Sequence, residues 1–201
     1  MAVSEEKVNT GNPLFPIFIK LDQIQTLIVG GGNVGLEKLE ALLKNDINAR
    51  VKLIAPEIRQ EIKDLLSATP NLVLKERKFR KSDLKNIDLA ILATDQPKLH
   101  AKIKKQAEKR HLLMNVADTP HLCDFYLGST VKRGNLKVGI STNGQSPTFA
   151  KRFREILEET LPEETDELLS NLKSIRDKLK GNFQEKIKEL NKITSVLKDK
   201  S

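Results

Sequence analysis

Residues 27–44 read LIVGGGNVGLEKLEALLK, and this stretch decides the fold. A short apolar run is followed by three consecutive glycines and then by apolar residues at helical spacing. Gly30, Gly32 and Gly35 fit the pattern G-x-G-x-x-G. Because a strand precedes this pattern and a helix follows it, we predict the first turn of a dinucleotide-binding βαβ unit.

Each glycine of the pattern has a separate predicted role. Gly30 permits the tight turn, Gly32 lets the backbone approach a pyrophosphate, and Gly35 lets the helix pack closely on the strand. The free N–H groups in the first turn of the helix would then face the phosphates. The alternative is that the glycines serve only a tight turn between strand and helix.

The alternation of apolar runs with helical patterns continues beyond this unit. Such alternation predicts an α/β, Rossmann-type, doubly wound parallel sheet. We predict strands over residues 15–21, 26–30, 50–55, 71–77, 88–94 and 111–117, and helices over 34–44, 56–67 and 97–110.

The pattern changes after residue 118. Residues 124–142 predict a hairpin that turns at 133–135, and a helix follows with Ser146 as its N-cap and Pro147 in its first position. Pro162 and Gly181 then separate further helices. We predict a nucleotide-binding domain over 1–118, a small β segment over 119–147 and a helical C-terminal domain over 148–201.

Polar residues after several predicted strands mark one edge of the sheet. In doubly wound sheets, ligands bind beyond the carboxyl ends of the strands. Glu57 lies at the distance expected of an acid that accepts a hydrogen bond from a ribose hydroxyl, which favours NAD over NADP. Thr94 follows another strand and is a candidate cofactor contact. Asp118 follows a third and is either a proton acceptor or a turn residue before Pro120.

Composition narrows the function classes. The single cysteine, Cys123, excludes a disulfide framework within the chain and argues against a cysteine-based metal site. No segment approaches the roughly 18 apolar residues of a membrane span, so we expect a cytoplasmic protein without membrane contact. The net charge is +8, of which +7 falls on residues 1–150, which favours an anionic ligand. Aromatic residues are only 4% and no dense basic block occurs, which argues against nucleic acid.

Six ordered segments resemble one known family. They are LFPIFIKL, LIVGGGNVGLEK, LIAPE, LAILATD, NVADTP and DFYLGSTVKRGNLKVGISTNGQSPTFAKRFRE, between about residues 13 and 160. Together they are similar to the precorrin-2 dehydrogenase and sirohydrochlorin ferrochelatase family of siroheme biosynthesis. The resemblance implies a homodimer that oxidises precorrin-2 to sirohydrochlorin with NAD, and a central segment that forms the dimer.

The resemblance also assigns residues. Asn33 and Val34 would contact the phosphate region of the cofactor, and Pro56 and Glu57 the adenosine ribose. Asp118, in NVADTP, matches the family's essential aspartate, the proposed general base. No metal site in the protein is implied, since a tetrapyrrole itself binds the metal in chelation.

A polycarboxylate substrate would give the basic residues a purpose. Thr142, Lys151 and Arg152 are candidate substrate contacts, as are Lys132 and Arg133, although a solvated surface charge is the simpler explanation of each cation. Thr142 and Asn143 stand where the family often carries serine and glycine, which changes the loop at 141–147. The 201 residues include no segment resembling the family's methyltransferase half, so we expect another protein to perform that methylation.

Three alternatives remain open at this stage. The first is the same enzyme with an added ferrochelatase activity, to which His121, three residues after Asp118, would be a candidate contributor. The second is a non-enzymatic NAD-sensing module, which needs no Asp118 and leaves NVADTP and STNGQSP unexplained. The third is a basic nucleic-acid binder, which predicts steeply salt-dependent binding.

Overall fold

The computed structural model describes residues 11–195. The described residues form two compact units, one of Ile17–Leu127 and one that combines 11–16 with 128–195. The first ten and last six residues, which belong to the predicted first and third domains, lie outside this range.

A five-stranded parallel sheet forms the centre of the first unit, with the strand order β3-β2-β1-β4-β5. The strands are β1 Gln25–Val29, β2 Arg50–Ala55, β3 Leu72–Glu76, β4 Leu89–Leu92 and β5 Leu113–Val116. The predicted doubly wound α/β class is confirmed. The order places β2 and β4 on opposite sides of β1, which creates a switch point beside the end of β1.

Alternation of buried side chains along β1 explains why both faces of the sheet are covered. Leu27 and Val29 belong to one apolar cluster, which includes Ile103 of the helix α3 (Pro97–Glu108). Ile28 belongs to the other, which includes Leu39 of α1 (Asn33–Asn45). Because successive strand residues point to opposite faces, a continuous apolar run requires this two-sided burial.

The predicted strand over residues 15–21 is wrong. The described segment has no strand, and Phe15 and Phe18 are 86% and 71% exposed. Pro16 has no N–H to donate to a ladder, and within the described sheet neither edge strand, β3 or β5, pairs with this segment. The segment therefore has the apolar composition of a strand but lacks the neighbouring strand with which it would pair.

The predicted helix over 56–67 is shorter than expected. Helix α2 spans only Gln60–Asp64 and continues as a 3-10 turn over Leu65–Ser67. The preceding residues contact β3 and the glycine loop instead. The N–H of Ile58 donates to Glu76 Oε1 at 3.1 Å, and the N–H of Arg59 donates to the carbonyl of Gly31 at 3.1 Å. The first helical turn expected at Pro56 is replaced by a bend over 56–57 and a non-helical connection to α2.

The second unit contains a hairpin and three helices. The hairpin strands are β6 Ser129–Arg133 and β7 Leu136–Ile140, and the helices are α4 Pro147–Thr160, α5 Thr165–Lys178 and α6 Phe183–Thr194. Val131, Ile140 and Ala150 form its small buried core. The predicted cap is confirmed, since Ser146 Oγ accepts from the N–H of Phe149 at 3.1 Å. Between residues 11 and 195, no helix has the length and apolar character to cross a bilayer.

Candidate functional site

Three strands of the sheet end in register, and their ends define the candidate site. Val29 pairs with Leu92, and Leu92 pairs with Val116, in adjacent parallel strands. Neighbouring strands lie about 4.8 Å apart. The glycine loop, Thr94 and Asp118, which follow these strands by one to two residues, therefore lie along one carboxyl edge.

Gly30 makes the tight turn that the pattern predicts. Its φ of +127° lies in a region that residues with a side chain avoid, and a Cβ here would lie 2.1 Å from the carbonyl oxygen of Ala93. Gly35 permits the close packing of α1, since its Cβ would lie 2.3 Å from the carbonyl oxygen of Gly30. Both positions therefore require glycine on steric grounds.

The N-terminus of α1 is open. Gly32 is its N-cap residue and makes no side-chain capping bond, and the first turn contains no acidic residue. A Cβ on Gly32 would meet no described heavy atom within 4 Å. The first N–H groups of an α-helix lack partners within the helix. The backbone N–H groups of Asn33 and Val34 are therefore available to an anion. This geometry fits a diphosphate.

Gly31 is a contact that the sequence pattern did not assign. A Cβ on Gly31 would lie 2.4 Å from the carbonyl oxygen of Glu57, and its own carbonyl accepts from the N–H of Arg59 at 3.1 Å. These contacts attach the glycine loop to the residues that follow β2. The signal in the sequence was the middle one of the three consecutive glycines, at a position where the pattern tolerates any residue.

Pro56 and Glu57 are exposed at the end of β2. Among the residues that the structure describes, the Glu57 carboxylate has neither a hydrogen-bond partner nor an ion-pair partner.

Arg59 is a second residue of the site that the sequence did not reveal. Its guanidinium donates to Asn33 Oδ1 and to Glu61. A guanidinium only donates, so it holds the amide oxygen of Asn33 and leaves the amide nitrogen for an acceptor.

Thr94 is held by a buried histidine. Its Oγ1 lies 2.7 Å from Nε2 of His100, which is 3% exposed, on the first turn of α3. The backbone N–H of Gln96 also donates to Thr94 Oγ1, at 3.4 Å. These two contacts fix the position of the Thr94 hydroxyl before any ligand binds. The sequence placed Thr94 at the edge but did not reveal its partner.

Asp118 has an unusual backbone and a free side chain. Its φ of +55° is left-handed, which aspartate and asparagine tolerate better than most residues. The turn is closed by the N–H of Thr119, which donates to the carbonyl of Val116 at 3.3 Å. Its exposed carboxylate has no partner in the described part of the chain. Asp118 therefore forms the turn with its backbone while its carboxylate remains available to a substrate.

The remaining candidates have local contacts. Thr142 lies in the second unit, where its Oγ1 accepts from the N–H of Ser146 at 3.2 Å. Arg152 is exposed and pairs with Glu155 at 2.8 Å, and Lys151 is exposed. The guanidinium of Arg133 donates to the carbonyl of Glu158, so it ties the hairpin to α4.

Two further candidates are exposed, one for substrate contact and one for chelation. Lys132 lies on β6 and His121 in the short 3-10 turn Pro120–Leu122. Over residues 11–195, no group of three or more metal-ligating side chains is assembled.

Burial makes His100 a source of acid sensitivity. Burial lowers the pKa of His100, because it disfavours the charged imidazolium. The Thr94 backbone and the negative charge of Asp95 raise this pKa but offset only part of the decrease. Below about pH 6.5 the unfolded histidine binds a proton that the native one does not. We expect the free energy of unfolding to decrease as the pH falls from 7.5 to 5.5, with a slope of at most about 1.4 kcal/mol per pH unit from this residue.

Denaturant titrations of the wild type and His100→Gln across this range measure the effect. The slope should be smaller in the variant, because glutamine does not titrate. Exposed His111 and His121 are present in both proteins and cancel in the comparison. Equal slopes would show that native His100 binds its proton as readily as the unfolded residue does.

Comparison with known proteins identifies the family. A family model described as "Putative NAD(P)-binding" matches residues 17–129, which is more than half of the chain. The chain belongs to this NAD(P)-binding family. A second model, described as "Sirohaem biosynthesis protein central", matches residues 133–160 of the same NAD(P)-binding protein. The nicotinamide class of cofactor is thereby supported, without distinction between NAD and NADP.

Relatives of this NAD(P)-binding protein include siroheme synthases. That of Psychrobacter arcticus is 38% identical over 149 residues, which cover 74% of this chain and 27% of the relative. That of Ectopseudomonas mendocina is 36% identical over 168 residues, which cover 84% of this chain and 35% of the relative. The chain thus spans about a third of the length of these relatives. The resemblance drawn from the sequence motifs is confirmed.

A solved structure shares the fold. The structure of SirC, a precorrin-2 dehydrogenase, matches with a TM-score of 0.71 and 24% identity, over 90% of this chain and 89% of that one. The likeness supports the arrangement of a Rossmann-type sheet, a small antiparallel β pair and C-terminal helices.

Proposed function

We propose that this chain, as a homodimer, oxidises precorrin-2 to sirohydrochlorin with NAD⁺ in siroheme biosynthesis. The main support for this proposal is the register of Val29, Leu92 and Val116. This register aligns the glycine loop and Asp118 along one edge of the sheet. The class of substrate is suggested by the siroheme synthase relatives and by the motif NVADTP.

The residues of the chain have distinct proposed roles. The N–H groups at the start of α1 and the amide of Asn33 would hold the cofactor diphosphate, while Pro56 and Glu57 would contact the ribose. When bound, NAD⁺ supplies the acceptor for a hydride. Oxidation of the macrocycle also releases a proton, which the carboxylate of Asp118 would accept. Thr142, Lys151 and Arg152 are proposed contacts for substrate carboxylates.

The reaction assay tests the function directly. The protein mixed with precorrin-2 and NAD⁺ should form NADH, measured by absorbance, and NADP⁺ should react more slowly. The physical reason is Glu57, whose exposed carboxylate would accept from a ribose hydroxyl and repel a 2′-phosphate. No NADH from the intact protein with authentic precorrin-2 would refute the dehydrogenase assignment.

Glu57→Gln sharpens the cofactor test. Removing the charge should raise the rate with NADP⁺ relative to NAD⁺ by roughly threefold to tenfold, the effect of about 1 kcal/mol. Glu40→Gln is the matched control, since Glu40 is an exposed acid on α1 and the change in charge is the same. A cofactor ratio that Glu57→Gln leaves unaltered would remove Glu57 from the ribose site.

Chelation is a second candidate function, favoured by the unpartnered carboxylate of Asp118. Metal entry into sirohydrochlorin displaces pyrrole protons, which a free carboxylate at the site would accept. Incubation of the protein with sirohydrochlorin and Co²⁺, without NAD⁺, tests this activity. Insertion no faster than in buffer would exclude it.

A further inference from the structure

His100 is a buried polar group that the proposed reaction does not use. It lies on the inner face of α3, one turn before Ile103, and only 3% of its surface is exposed. A buried imidazole needs a hydrogen-bond partner, because an unpaired polar group in the core costs about 1–3 kcal/mol. The partner is the hydroxyl of Thr94, at 2.7 Å from Nε2.

The protonation of this histidine limits what Thr94 can do. Burial lowers its pKa, so the imidazole is neutral near pH 7, with one nitrogen as donor and the other as acceptor. Within residues 11–195, Nε2 is the ring nitrogen of His100 that has a hydrogen-bond partner, so an N–H placed on Nδ1 of this buried ring would lack an acceptor. The nitrogen nearest to the hydroxyl is therefore the donor.

The acceptor capacity of the Thr94 hydroxyl is then filled. Its oxygen accepts from Nε2–H of His100 at 2.7 Å and from the N–H of Gln96 at 3.4 Å. A hydroxyl has two lone pairs and one hydrogen, so the hydrogen is what remains for another partner. Thr94 is thus set as a donor toward an acceptor.

The position of Thr94 indicates where that acceptor lies. The preceding residue, Ala93, touches the glycine loop, since its carbonyl oxygen occupies the place of a Cβ on Gly30. We propose that His100 is a positioning residue that presents the Thr94 hydroxyl hydrogen to an oxygen of the bound nicotinamide cofactor. This inference rests on the cofactor site of the proposed function.

Binding measurements on four variants test this assignment. NADH affinity is measured by fluorescence titration, with folding checked by circular dichroism, for His100→Leu, His100→Gln, Thr94→Val and the double variant His100→Leu/Thr94→Val. His100→Leu should weaken binding roughly threefold to tenfold, the effect of one hydrogen bond. His100→Gln should remain within about twofold of the wild type, because its amide also donates.

The double variant separates positioning from packing. Removing His100 from a protein that already lacks the Thr94 hydroxyl should cause no further loss of affinity, whatever its effect on stability. An equal loss in both backgrounds would overturn the proposal, as would wild-type affinity in a folded His100→Leu protein. Failure of the wild-type chain to bind NADH would instead count against the proposed function.

A spectroscopic measurement tests the hydrogen-bond direction without any substitution. Long-range ¹H–¹⁵N spectra distinguish the two neutral tautomers of an imidazole, and the chain has only three histidines to assign. We expect the Nε2–H form for His100. The Nδ1–H form would overturn the assignment of Thr94 as a donor, and the measurement applies even if His100→Leu does not fold.

Discussion

Asp118→Asn is expected to reduce the turnover of precorrin-2 by roughly a hundredfold to ten-thousandfold, the usual contribution of a general base. Asparagine has the same shape and also tolerates the left-handed φ of +55° at this position. It cannot accept the proton that leaves the macrocycle. The loss should therefore appear in kcat, while the affinity for NADH, measured by fluorescence titration, stays within about twofold of the wild type.

The choice of asparagine matters for the interpretation. Asp118→Ala would combine loss of the carboxylate with backbone strain, which costs on the order of 1 kcal/mol or more in the left-handed region. Asp22→Asn is the matched control, because Asp22 is an exposed aspartate on the connection before β1, away from the carboxyl edge. Turnover in Asp118→Asn within about fivefold of that control would eliminate the proton-acceptor role and leave the cofactor site intact.

Gly30→Ala is expected to destabilise the first unit by about 3 kcal/mol or more and to abolish NADH binding. Two effects add: strain at a φ of +127°, and a Cβ placed 2.1 Å from the carbonyl oxygen of Ala93. The colliding atom belongs to the backbone of the strand-end region, so it cannot rotate away as a side chain would. Chemical denaturation gives the stability change, and fluorescence titration gives the binding.

Gly32→Ala provides the contrasting variant. Its Cβ would meet no described heavy atom within 4 Å, and its φ of −86° suits alanine, so stability should change by less than about 0.5 kcal/mol. Affinity for NADH should nevertheless fall at least about tenfold, because the methyl group projects where the diphosphate approaches. Unchanged affinity would mean that the diphosphate does not pass over Gly32, and wild-type stability of Gly30→Ala would contradict the steric account.

Local sequence was sufficient for most of the sheet. The run at 26–30 predicts β1 because a strand buried on both faces is apolar without alternation, and a run this short between turn residues is typical of a strand. Residues 50–55 coincide with β2, Arg50–Ala55. The cap at Ser146 was likewise predictable, because its hydrogen bond joins residues only three positions apart. These features depend on neighbours in the chain.

The two errors in secondary structure arise from distant contacts. A strand at 15–21 would need a partner that the described sheet does not provide, and propensity alone cannot reveal that absence. The helix predicted from Pro56 starts later because Ile58 and Arg59 bond to Glu76 and to Gly31. Both cases concern segments whose backbone hydrogen bonds are decided by another part of the chain.

The sequence by itself determined the glycine turn, the order of strands and helices from residue 25 onward, and the acids at strand ends, since each depends on residues close together in the chain. Only the tertiary structure decided that Gly31 packs on the carbonyl of Glu57 and that His100 bonds to Thr94. It also decided which strands are adjacent, and hence that the ends of β4 and β1, which carry Thr94 and the glycine loop, are neighbours along the predicted edge. The physical reason is that strand order and hydrogen-bond direction depend on how separate segments pack together, and no local pattern encodes that packing.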